Sequence, residues 1–219
     1  MHISTTLAQT CVTLTLAASA LPLAPTAAGA PLPPPPASVV ALSFTGGSPL
    51  NLSGFNETVG WAFTLSSPKT VTQLGFWDAG NDGLAGIQTV DIWTNTGVLQ
   101  VTGTIPAGTA APLLAGFRYV SVPQTLLPAG SYTIGAYSLG SPDVFIKGAT
   151  ITTDPAVTYV GSRVEPSPSG IAFPPTDNIG FPNGDFGPNF QFVPEPGSAA
   201  LLGLGTLLLA ARRRRSAQA

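Results

Sequence analysis

The sequence predicts an all-β fold, a single antiparallel sandwich or barrel, and three observations lead there. From about Ser38 to Phe192, short apolar or alternating runs are separated by Gly, Pro, Asn and Asp, the pattern of strands joined by tight turns. No window in that region repeats its apolar residues at the helical spacing. The chain holds 25 Gly and 23 Pro, and only 8% of it is charged, against about 25% in ordinary soluble domains. Its surface must therefore be covered by Thr, Ser, Asn and Gly.

In chain order, the predicted strands are 39–44, 60–65, 69–77, 88–94, 98–105, 117–122, 131–139, 157–163 and 186–192. Each has a period-two pattern or a short apolar run bounded by turn residues. In 60–65, Trp61, Phe63 and Leu65 share one face and Ala62 and Thr64 the other. In 117–122, Phe117, Tyr119 and Ser121 oppose Arg118, Val120 and Val122. In 131–139, Tyr132, Ile134 and Ala136 oppose Thr133, Gly135 and Tyr137. Residues 164–185 are rich in Pro and Gly and read as a long loop, partly mobile, that returns to the last strand. About 155 residues suffice for one core, and no repeat divides them.

Four regions follow. Residues 1–20 read as a secretory signal, with an apolar stretch from Val12 to Ala18 and the small-x-small site Ala18-Ser19-Ala20. Its leading segment lacks Lys and Arg, a departure from the usual pattern. Residues 21–37 form a linker stiffened by four consecutive prolines ending at Pro36. The β domain occupies 38–192, and 193–219 is a tail of a different kind.

That tail has three parts in a fixed order: Pro194-Glu195-Pro196, an uncharged apolar run over 197–211, and Arg212, Arg213, Arg214 and Arg215. As a helix the run would span roughly 22 Å, short against a hydrocarbon core of about 30 Å. The arginines stay on the cytoplasmic side by the positive-inside rule, which leaves the β domain outside. Proline at 194 and 196 keeps the preceding segment extended, the form a peptidase takes. This arrangement resembles a PEP-CTERM sorting signal. The resemblance implies recognition by an exosortase-type membrane transpeptidase, cleavage near Pro-Glu-Pro, and only transient anchoring in the inner membrane. It also implies a bacterial protein that ends at the cell surface or in the extracellular matrix.

Composition excludes several functions. His2 is the only histidine and Cys11 the only cysteine, and both leave with the signal. Ser-His-Asp and Cys-His catalysis, His- or Cys-ligated zinc and internal disulfides go with them. Between the signals, four basic residues face nine acidic ones, a net charge near −5, which argues against nucleic acid as a partner.

Two candidate sites remain. Asp78, Asn81 and Asp82 are oxygen donors that, with a turn at Gly83, could wrap calcium; the same residues also make an ordinary hairpin turn. The EF-hand spacing fails, because Gly80 sits where a donor belongs and Thr89 holds the twelfth position. Trp77 and Tyr137 are candidates for stacking on sugar rings, with Trp61 and Trp93 assigned to the core. No cofactor beyond that calcium is expected.

A second resemblance lies in the domain itself. Val59-Gly60-Trp61-Ala62-Phe63, the stretch from Thr70 to Trp93, Gly116-Phe117-Arg118-Tyr119-Val120 and Phe186-Gly187-Pro188-Asn189-Phe190 look like a DUF4082-like domain of bacterial surface proteins. The resemblance implies a jelly-roll-like sandwich and supplies no functional residues. The expectation is a non-enzymatic structural or adhesive component associated with exopolysaccharide in a biofilm matrix. A carbohydrate-binding module is the alternative. A glycoside-active enzyme is a distant third, since that chemistry needs only two facing carboxylates.

Overall fold

The structure, a computed structural model, describes residues 37–52, 54–138, 143–166, 169–181 and 183–194. Among them are thirteen strands and no helix. The strands are β1 (Val39–Val40), β2 (Leu42–Leu50), β3 (Glu57–Leu65), β4 (Lys69–Trp77), β5 (Gln88–Thr94), β6 (Leu99–Ile105) and β7 (Leu113–Leu114). After these come β8 (Phe117–Leu127), β9 (Gly130–Tyr137), β10 (Phe145–Thr153), β11 (Val157–Pro166), β12 (Thr176–Asp177) and β13 (Pro188–Pro194). Every pairing is antiparallel.

A five-stranded sheet runs β1-β13-β4-β8-β7, and a six-stranded sheet runs β12-β11-β3-β9-β5-β6. They face one another in a sandwich-like arrangement, with β6 against β8 and β13 against β9. The inward residues of each strand meet in one aromatic core. Trp61 and Phe63 of β3 pack on Phe190 of β13, with ring centroids 6.1 and 4.9 Å away. The Trp61 indole nitrogen donates to the Pro188 carbonyl at 2.9 Å, so the largest core ring also ties the sheets by a hydrogen bond. A two-stranded sheet, β10-β2, closes one side and brings Phe145 edge-on to Phe76, 5.2 Å away.

The predicted strand 39–44 is really two. Ala41 is fully buried and donates to the Phe190 carbonyl; the chain bends there and passes from the five-stranded to the two-stranded sheet. Strand β10 was absent from the sequence prediction. Its run Phe145-Ile146-Lys147-Gly148 has no alternation, and Gly148 at φ 65° breaks the pleat. The last strand starts at Pro188 and continues through Val193 and Pro194, across the boundary at which the sequence separates domain from tail.

Alternation in β3 predicts one buried face, yet Thr58 and Ala62 on the other face are also buried. The reason is the Pro-rich segment expected as a loop. Residues 169–175 lie across the outer face of the six-stranded sheet. Ala172 donates its N–H to the Thr58 hydroxyl at 2.9 Å, Pro174 sits above Gly135, and Phe173 meets Trp93 edge-on at 6.1 Å.

No helix among the described residues is long and apolar enough to cross a membrane. The predicted secretory signal at 1–20, most of the linker, and the tail from Glu195 through its apolar run and arginines lie outside the described residues.

Candidate functional site

The Asp78 loop is organised around an arginine. Asp78, 1% exposed, accepts from Arg118 Nε at 2.7 Å and from the Gly83 N–H at 3.1 Å. The other guanidinium nitrogens donate to the carbonyls of Thr109, Ala111 and Asn81. One buried cation thus gathers three chain segments and neutralises the carboxylate. Asn81, at φ 61°, contributes its backbone rather than its amide, and Asp82 is exposed. The loop is a crossover between the two large sheets, joining β4 to β5, and not the hairpin expected from Asn81-Asp82-Gly83. Among the described residues no three His, Cys, Asp or Glu side chains cluster as a metal site.

Trp77 and Tyr137 lie on different sheets, and the structure does not bring them together. Trp77 is half-buried between Phe44 and Phe117, with centroids 4.5 and 5.2 Å away. Gly116 covers its ring so closely that a Cβ there would come within 2.2 Å. Tyr137 is half-buried near the far end of β9, and its hydroxyl has no hydrogen-bond partner. Trp61 is buried in the core between the sheets; Trp93, assigned to the core from the sequence, is buried instead on the outer face of the six-stranded sheet, where Phe173 covers it.

The sequence did not flag a cleft of about 300 Å³ on the outer face of the six-stranded sheet, beside the 169–175 strap. Thr64, Asn95, Ser131, Thr133, Arg163 and Phe173 line it, hydroxyl, amide and guanidinium donors next to an aromatic edge. Arg163 is paired with Asp177 of β12. On the same face Asp91 is buried, with one carboxylate oxygen unpartnered; burial pushes its pKa up, against a lowering hydrogen bond from Thr102. These residues come from five separated segments, and a single sequence carries no signal joining them.

Asp185, before the last strand, is fully buried at φ 60°. Asn178 donates to one of its oxygens at 2.7 Å, and the other has no partner. Burial pushes its pKa up to about 7, so this acid keeps its proton close to neutrality.

The remaining feature is the exit of the chain from β13. Phe192 is 1% exposed in the core and pairs with Val39 on one side and Val71 on the other. Residues 192–215 match the PEP-CTERM protein-sorting motif. The motif is a sorting signal for the cell surface, processed by an exosortase. The match begins with the last three residues of β13 and runs through the tail as far as Arg215; the DUF4082-like resemblance of the sandwich is matched by no family model. No curated protein and no solved structure matches the chain.

Proposed function

We propose that this protein is a structural or adhesive component of the bacterial surface or exopolysaccharide matrix, anchored only in transit. The observation that carries the reading is the sorting motif at 192–215. The apolar run 197–211 serves as a temporary handle, because it is short for a permanent span. The β domain remains as the mature protein. Its sandwich is read as jelly-roll-like, a reading supported by strands that pass repeatedly between the large sheets, β3 to β4 to β5 and β6 to β8 to β9.

Surface shaving tests delivery. Protease added to intact cells is expected to release peptides of the full chain and none from a chain stopped after Pro194, which stays behind the envelope. Equal shaving of both contradicts the reading.

The cleft favours carbohydrate contact as a second reading, since hydroxyl and amide donors beside an aromatic edge suit sugar hydroxyls and ring faces. Mature protein recovered from culture should co-sediment with the producer's own exopolysaccharide, and Phe173→Ala should reduce the bound fraction. Absence of co-sedimentation sinks this second reading and leaves the first in place.

A further inference from the structure

The domain has no linker between its fold and its sorting motif. Strand β13 is an interior strand, hydrogen-bonded to β1 and β4, and Pro194 pairs with Lys69. Successive Cα atoms are about 3.8 Å apart, so Pro196 lies within about 8 Å of chain from that last pair. An enzyme that grips an extended peptide at Pro194-Glu195-Pro196 therefore has to touch the end of the sandwich.

That end has a distinct composition. The turns reaching it are 66–68 between β3 and β4, 128–129 between β8 and β9, and 154–156 between β10 and β11. Their exposed residues are Ser66, Pro68, Pro128, Ala129 and Pro155, all small or rigid and none charged. Among the described residues two charged groups lie at this rim, and both are turned to internal work. Lys69 is buried, with its Nζ 5.7 Å from the Phe192 ring centroid, and Asp154 accepts the Ala156 N–H of its own turn at 2.9 Å. The opposite rim carries Glu57, Asp78, Asp82, Asp143 and Asp185 with Arg118, at the other ends of the same strands or in the loops joining them. Val39 pairs with Phe192, so the chain also enters the five-stranded sheet at the uncharged rim.

We propose that this uncharged rim is the docking surface for the membrane-embedded peptidase that processes the chain. Burying a charged rim against a membrane enzyme would demand desolvation; small uncharged turns approach without that cost. The same geometry sets a limit on the cut. Whether water takes the acyl group in hydrolysis or an acceptor amine takes it in transfer, the peptide bond broken must lie after Phe192, because a break before it removes a fully buried ring from the core.

The inference rests on the sorting reading, and one experiment separates the two. The full chain is produced in cells holding the processing enzyme, and the processed fraction is followed by immunoblot. Pro68→Glu, Ala129→Glu and Pro155→Glu together are expected to lower the rate of processing about tenfold, the change that ~1.4 kcal/mol of lost docking gives. A flexible Gly-Ser spacer of about ten residues between Val193 and Pro194, which keeps Pro194-Glu195-Pro196 whole and has a reach of roughly 17 Å, should restore it. Ala79→Glu, at the opposite rim, should leave processing unchanged. Normal processing of the charged rim without the spacer overturns the docking surface, and so does equal impairment with the spacer. If the unaltered chain is never processed, the sorting reading itself falls.

Discussion

Arg118 and Asp78 illustrate how a side chain's role depends on a partner far away in the chain. The sequence shows Asp78 beside Asn81 and Asp82 and suggests an oxygen-donor loop. The structure adds an arginine 40 positions later that takes the carboxylate. That separation is why the pair was illegible. Arg118→Met should cost about 3–5 kcal/mol in urea denaturation, because it orphans a buried carboxylate. Asp78→Asn with Arg118→Met should recover part of the loss, and a single variant within ~0.5 kcal/mol of the parent would refute the buried pair. Asp185 makes a second residue-scale prediction. Burial holds its folded pKa at about 7, above the ordinary aspartate value of 3.8, so the folded state holds a proton that the unfolded chain releases. The stabilisation is complete below pH ~4 and is lost as pH rises towards 7. Glu57 and Asp91 are raised as well and slope the same way. Melting temperature should fall on the order of 5–10 °C between pH 4 and pH 8. Asp185→Asn, which suits the left-handed backbone, should flatten most of that slope; a slope unchanged in the variant would rule Asp185 out as its source.

Most strands were legible because their period-two patterns and turn residues are local. The predicted strands 69–77 and 88–94 match β4 and β5 residue for residue. What failed was non-local. Strand β10 owes its place to pairing with β2 over eight positions, and the burial of both β3 faces comes from a strap more than 100 residues later. Glycine marks one such close approach. A Cβ on Gly60 would lie 2.0 Å from the Ile134 carbonyl oxygen of β9. Gly60→Ala should therefore force the β3–β9 ladder apart and cost more than ~3 kcal/mol, read from urea midpoints; an unchanged midpoint would show that the ladder yields. The last strand gives a sharper test of element against tail. A chain stopped after Pro194 should melt as the mature domain does. A chain stopped after Gln191 loses Phe192, worth about 3–5 kcal/mol by itself, along with ladder bonds to β1 and β4, and should melt far lower. Equal melting of the two would place Phe192 outside the cooperative core.

For the whole molecule, the sequence made the destination easier to read than the task. A sorting signal works as a linear segment, so its residues stand together and can be recognised in order. A binding face is assembled from separated strands, and the outer cleft of the six-stranded sheet, with Asn95, Ser131, Arg163 and Phe173 from four different segments, appears only when the chain is folded. The fold then adds what the linear motif lacks: the signal begins inside an interior strand, at an uncharged rim, with the charged loops at the opposite end. The most direct test of delivery through this signal is intact mass spectrometry of the protein recovered from the cell surface and medium. The account predicts a chain that retains Phe192 and Val193, ends near Pro194, and lacks the apolar run and the four arginines. A surface protein carrying Arg212 to Arg215 intact would contradict it.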